Sequence, residues 1–137
     1  MEFYLYITHS GQNDYLPSEF MFEVPYRMKN LNGQWECALA EVSIDCTFTP
    51  KSDRLYLCGD FLDQSCIDGK SRQVLKNVEV RGKYNKYLNE RYSDRMYIGV
   101  LPGYKDAFRF SLVGQDLNKV DFQSNKLHMV LHFRQRK

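Results

Sequence analysis

Few side chains in this sequence are spaced for metal binding. His128 and His132 are four residues apart, and on a β-strand this spacing puts both rings on one face but about 13 Å from each other, too far to share a metal ion. The four cysteines, at positions 37, 46, 58 and 66, form no Cys-x-x-Cys pair, and no histidine follows them at zinc-finger spacing. The sequence therefore predicts no metal site and no cofactor.

Catalytic motifs are equally scarce. Nucleophile elbows, phosphate-binding glycine loops and the His-Glu-x-x-His pattern are absent. Acidic pairs such as Asp60 with Asp63, or Glu90 with Asp94, could do acid–base work only if the fold brought two carboxylates together in a cleft. Nothing in their spacing indicates this, so we predict that the protein is not an enzyme.

Tyrosines and basic residues alternate between Gly82 and Arg95, a segment without an apolar stripe that we expect to be an ordered loop, and a second basic cluster lies in the closing residues. Tyr and Arg are enriched in protein–protein interfaces. The same mixture could instead stack single-stranded nucleic acid, although a net charge of +2 makes this partner a weak candidate. A solvated, flexible end is the alternative for the second cluster. The candidate contact residues are Tyr84, Tyr87, Tyr92, Arg95, Arg134, Arg136 and Lys137.

The elements that position these residues are predicted to be β-strands. Aromatic residues make up 15% of the 137 residues, a bias that suits pleated sheets. In "FYLYITHS" the residues Phe3, Leu5 and Ile7 alternate with Tyr and Thr, which predicts an edge-like strand with one buried face. "EFMFEVP" repeats the alternation and ends at Pro25, which cannot donate a hydrogen bond to a sheet.

The stretch "LNGQWECALAEVSI" is predicted to be a central strand covered on both faces. It follows a turn at Asn32-Gly33, a pair that tolerates positive φ. Trp35, Cys37 and Leu39 share one face and are the predicted core residues, while the apolar positions from 38 to 44 lie on the other face or reach it after a small shift. Two alternatives remain: a helix over this segment, since Ala and Glu propagate helices, and an exposed tryptophan in an interface.

Further strands are predicted at "LYLCGDFL", "QVLKNVEVRG", "MYIGVLP", "AFRFSLVG", "VDF" and "KLHMVLHF", with "DQSCIDGKSR" as a loop. Together with the first strands they make roughly eight or nine, a pattern typical of a β-sandwich or barrel. No apolar stretch approaches the ~20 residues of a membrane span. No signal peptide follows Met1, so we expect synthesis inside the cell and free thiols.

Several of these stretches, in order, resemble the minor capsid, or penton-like, proteins of Polinton (Maverick) elements and adintoviruses. The similar blocks are "FYLYITHSG", "PSEFMFEVPYRMKNLNGQWECALAEVSI", "LYLCGDFLDQSCIDGKSRQVLKNV" and "KLHMVLHFRQRK". The most specific are the W-E-x-A-L-x-E block and the closing L-H-F-R. This chain has a shorter segment between Ile44 and Leu55 than those proteins carry, so it resembles a compact version of them.

The resemblance implies an all-β fold, a single jelly-roll sandwich of roughly eight antiparallel strands in two sheets that spans residues 1–137. It also implies a minor capsid protein located in the virion, with copies of itself and the major capsid protein as partners. A pentamer is favoured and a trimer is the alternative. The other interpretation is a β-sandwich binding module without a vertex role: a spike base, a cement protein, or a protein that binds a host factor or nucleic acid.

Overall fold

The computed structural model describes residues 2–10, 19–47, 54–67, 69–79, 87–114 and 123–136, and these are almost entirely β-strands. In chain order the strands are β1 (Glu2–Ser10), β2 (Glu19–Glu23), β3 (Asn30–Leu31), β4 (Trp35–Thr47), β5 (Arg54–Gly59), β6 (Ser65–Ile67), β7 (Lys70–Arg72), β8 (Val74–Glu79), β9 (Tyr87–Arg91), β10 (Ile98–Val100), β11 (Gly103–Tyr104), β12 (Ala107–Gly114) and β13 (Gln123–Gln135). A single 3-10 turn, Tyr26–Met28, follows β2 and Pro25. The predicted all-β class is confirmed.

The longer strands form two antiparallel sheets. The first has the order β1, β13, β4, β10. Strand β9 pairs with the same edge of β4 as β10 does: β10 lies opposite residues 35–37 of β4, and β9 lies opposite residues 41–45. The second has the order β2, β12, β5, β8. Two short pairs, β3 with β11 and β6 with β7, lie outside these sheets. If β9 and β10 are counted as one position, eight positions in two sheets remain, as the jelly roll requires.

The two sheets enclose one continuous apolar core among the described residues, which includes Leu39 of β4, Leu57 of β5 and Leu112 of β12. Aromatic rings bridge the gap between the sheets: the centroid of Phe133 on β13 lies 6.2 Å from that of Phe108 on β12. Such contacts identify the structure as a sandwich rather than two independent sheets.

The central pair of strands, β4 and β13, contains a register shift. Glu41 is opposite Val130 but Leu39 is opposite Leu131, so Ala40 is an extra residue in β4, a β-bulge. Without the bulge, strict alternation would turn Val42 to the outer face if Leu39 faced the core. With it, both side chains belong to the core cluster. The structure therefore places Val42 on the core face with Leu39, where the sequence pattern predicts the other face, and the helical alternative for this segment is wrong.

Trp35 begins β4 and is 6% exposed, against 0% for Cys37 and 2% for Leu39. The indole Nε1 donates a hydrogen bond of 2.8 Å to the carbonyl oxygen of Asn32. The turn that makes this possible includes Gly33, whose φ is +87°, in the left-handed region that favours glycine. The turn thus supplies the acceptor that a buried indole requires.

Two segments predicted to be loops contain strands. Tyr87–Arg91, within the predicted loop from Gly82 to Arg95, is β9, and "DQSCIDGKSR" contains the β6–β7 hairpin. Neither pattern was visible in the sequence because these short strands pair through their backbones without showing one alternating apolar face. The prediction for "VDF" lies outside the described residues.

Replacement of Trp35 tests its place in the core. We expect Trp35→Ala to lower the free energy of unfolding by about 3–5 kcal/mol, because it removes a buried aromatic side chain and leaves a cavity. Trp35→Phe is the matched control, since it retains most of the apolar volume and loses mainly the hydrogen bond to Asn32, for a cost of about 1–2 kcal/mol. Urea denaturation measures both. Tryptophan emission at the wavelength of the free amino acid in water would contradict the buried position.

Candidate interaction surface

The segment from Tyr92 to Tyr97 connects β9 to β10 and reaches across the outer face of the first sheet, the face turned away from the core. Arg95 Nη1 donates a hydrogen bond of 3.1 Å to the Tyr4 hydroxyl of β1, and Arg95 Nε donates one of 3.3 Å to the Tyr92 carbonyl. The Arg95 guanidinium carbon lies 5.4 Å from the centre of the Tyr4 ring. The segment is therefore attached to the opposite edge of the sheet.

Tyr97 joins this segment to β13. Its hydroxyl lies 2.7 Å from Nδ1 of His132, and the guanidinium carbon of Arg134 lies 3.4 Å above the centre of its ring. The predicted loop and the predicted basic cluster thus meet on one surface. We call this surface the tyrosine–arginine face and define it by Tyr4, Arg95, Tyr97, His132 and Arg134.

His132 is the buried centre of the tyrosine–arginine face, with only 4% of its surface exposed. Its ring lies 4.6 Å from that of Tyr4, centroid to centroid. Nε2 is 3.3 Å from Glu2 Oε2 but has no partner with hydrogen-bond geometry among the described residues. Burial lowers the pKa of His132, and the charges of Arg95 and Arg134 act in the same direction, against Glu2. The ring is therefore neutral at pH 7, and Nδ1 can accept a hydrogen bond from the Tyr97 hydroxyl.

Glu36 on β4 anchors the basic residues that follow the core of β13. Its Oε1 lies 2.6 Å from Arg134 Nε, and its Oε2 lies 3.2 Å from Arg136 Nε. Burial raises the pKa of Glu36, but the hydrogen bonds from both arginines outweigh burial and leave the pKa below its ordinary value. Since the amide of Arg136 also donates to the Gln34 carbonyl, these two arginines are held against the sheet and are not a flexible end.

The other candidate contact residues lie elsewhere. Tyr92 is half-buried against the core, with Lys76 Nζ 4.5 Å from its ring centre, and burial together with Glu90 raises its pKa to about 12. Tyr87 pairs with Asp45 through the backbone of β9, and Tyr84 and Lys137 lie outside the described residues. A contact role for the seven candidates stays a prediction. So does nucleic-acid binding by the segment from Gly82 to Arg95, of which residues 82–86 are also outside the described part.

Sequence reasoning did not select the exposed tyrosines of β1. Tyr4 is 47% exposed and Tyr6 is 66% exposed, on the face opposite to the buried Leu5 and Ile7. The alternation of "FYLYITHS" indicates them, because it puts two aromatic rings on the solvent-exposed face of an edge strand. Exposed aromatic side chains of this size favour an interaction surface.

The fold does not bring the two histidines of β13 to one shared site. His128 Nδ1 lies 3.1 Å from the Thr8 hydroxyl, so the two histidines of β13 have separate partners. Within the described ranges no three His, Cys, Asp or Glu side chains are grouped to hold a metal ion. The same residues contain no apolar helix of membrane-spanning length.

A cleft of about 290 Å³ lies on the outer side of the second sheet, lined by residues that include Cys58, Arg72, Arg109 and Ser111. Two of its charged side chains form an ion pair: Arg109 Nε is 3.6 Å from Glu19 Oε1. Burial raises the pKa of the Cys58 thiol, against the opposing effects of Ser111 and Arg72. The thiol is thus protonated at pH 7 and is not an activated nucleophile.

Comparison of the sequence with protein-family models and with curated proteins gives no match. Among solved structures, the selenomethionine-labelled mavirus penton protein superposes with a TM-score of 0.66 over 98% of this chain and 99% of that chain, at 7% sequence identity. The two proteins share one fold. The predicted jelly-roll sandwich is confirmed by this likeness, which at such low identity shows the penton fold and leaves function to be argued from surfaces.

Acidification should destabilise this sandwich. Burial lowers the pKa of His132 and of His9, whose ring stacks on Phe20, below the ordinary value, so the unfolded chain binds protons that the folded chain does not. This contribution is fully present above about pH 6.5 and is lost as the pH falls through the folded-state values. We expect the melting temperature to be level between about pH 8 and about pH 7 and to fall below about pH 6.5.

His132→Gln should remove part of this fall, and His128→Gln, on the same face of β13, is the matched control. Calorimetry at a series of pH values measures the effect. A melting temperature that rises on acidification from neutral pH would contradict the assignment of a buried neutral ring.

Proposed function

We propose that this chain is a penton-like structural protein of a viral capsid, made inside the host cell and incorporated into the virion. The observation that carries the proposal is the match to the mavirus penton protein over nearly the whole of both chains. The blocks that resemble minor capsid proteins of Polinton elements and adintoviruses support the same function from the sequence. In this role the protein acts through its surfaces and performs no catalysis.

A jelly roll suits a shell because the core between the sheets is separate from the surfaces that make contacts. In a cyclic assembly one patch of each subunit binds a different patch of the next, and the rotation closes the ring. We propose five subunits, with three as the alternative, and the major capsid protein as the neighbour around the ring. Interfaces near ~1,600 Å² are ordinary for specific association, and a ring repeats each contact.

The recombinant chain should form a closed ring. Native mass spectrometry over a range of protein concentrations measures the number of subunits, and electron microscopy of the same sample shows the shape. We expect five copies around one axis. A chain that stays monomeric at the highest concentration reached, alone and after coexpression with the major capsid protein, would rule out the proposed function.

A further inference from the structure

Exposed apolar side chains occur on both outer faces of the sandwich, near the same side of it. Tyr4 and Tyr6 of β1 are on the outer face of the first sheet. Met21 of β2, 61% exposed, is on the outer face of the second sheet, because its neighbour Phe20 points into the core. The strands β1 and β2 are edge strands on the same side, as the ring stacking of His9 on Phe20 at 4.4 Å shows.

Each apolar group adjoins a charged side chain without an ion pair to any residue that the structure describes. Among the residues that the structure describes, no carboxylate forms an ion pair with Arg95, whose hydrogen bonds go to Tyr4, Tyr97 and the Tyr92 carbonyl. On the other face, Glu23 is exposed, on the same side of β2 as Met21, and no described cation forms an ion pair with it.

Several neighbouring charged side chains already form ion pairs within the chain. Glu36 binds Arg134 and Arg136. Arg109, whose Nη2 lies 3.8 Å from Met21 Sδ, pairs with Glu19. Arg95 on one face and Glu23 on the other therefore carry charges of opposite sign.

We infer that the patch formed by Tyr4, Tyr6 and Arg95 on one subunit binds the patch formed by Met21 and Glu23 on a second copy of this chain. The inference rests on the proposed function and specifies its subunit contact. Arg95 pairs with Glu23, and the thioether of Met21 packs against the tyrosine rings. Because the two patches differ, the contact is heterologous, and repetition of it closes a ring.

Charge reversal tests the pairing. We expect Glu23→Arg and Arg95→Glu each to raise the concentration needed for assembly by at least ~10-fold, since like charges then meet in every contact. The double variant restores opposite charges and should assemble like the original chain. Asn77→Arg, on the exposed side of β8 at the far edge of the second sheet, is the matched control and should assemble normally.

Equimolar mixing of the two single variants gives a second readout. Contacts between unlike variants bring opposite charges together, so the mixture should associate although neither variant does so alone. In a ring with an odd number of subunits, one contact still brings like charges together. Circular dichroism and melting temperature establish that every variant is folded. Arg95→Glu also loses the hydrogen bond to Tyr4 and could unfold for that reason. If Arg95→Glu is unfolded, the assembly of Glu23→Arg decides whether the two patches bind each other.

Three results would overturn the inference. If the original chain assembles and Glu23→Arg assembles equally well, the contact lies elsewhere and the proposed function stands. If both single variants are folded monomers and neither the double variant nor the mixture associates, Arg95 and Glu23 do not pair. If the original chain never assembles, the proposed function fails and the inference fails with it.

Discussion

The ladder between β4 and β13, with one extra residue at Ala40, is the constraint on which the rest of the structure depends. Each strand is 13 residues long, and together they form the middle of the first sheet. The bulge changes the phase of β4, so that Leu39 before it and Val42 after it both face the core. It also leaves the Ala40 carbonyl to accept a hydrogen bond of 2.9 Å from the Tyr92 amide. One irregularity thus fills the core and directs the chain that follows β9 across the sheet.

The outer face of the same ladder determines which side chains are available to partners. Residues opposite each other in an antiparallel pair share a face, so His132 lies beside Ala38 and Arg134 beside Glu36. Ala38 is 0% exposed although it is outside the core cluster, because the outer face is itself covered at this point. The outer face therefore has a buried part and an exposed part. The buried part contains the histidine and the ion pairs, and the exposed part contains the tyrosines of β1 with Arg95 beside them.

Much of the fold could be predicted from period-two alternation, because a strand with one buried face shows it directly, as Phe3, Leu5 and Ile7 do. The turn at Gly33 could also be anticipated from residue types, but the phase change in β4 could not, because strict alternation puts Val42 on the face opposite Leu39. The hairpin of β6 with β7 could not, since its sequence shows no alternation of apolar and polar residues. Only part of the tyrosine–arginine face could be predicted from the sequence. The local abundance of tyrosine and basic residues indicates Arg95 and Arg134 as candidates. Tyr4, Tyr97 and His132 join them only through the order of strands in the sheet, which no local pattern encodes.

Native-state hydrogen exchange tests most directly whether the β4–β13 ladder organises the molecule. If it does, amides from Cys37 to Ile44 and from Leu127 to Phe133 should exchange only through global unfolding, with one free energy that matches the value from urea denaturation. Strands β2 and β8, at the edges of the second sheet, should open at lower free energies. Slower exchange in the second sheet than in this ladder, or exchange of the ladder by local opening, would contradict the account.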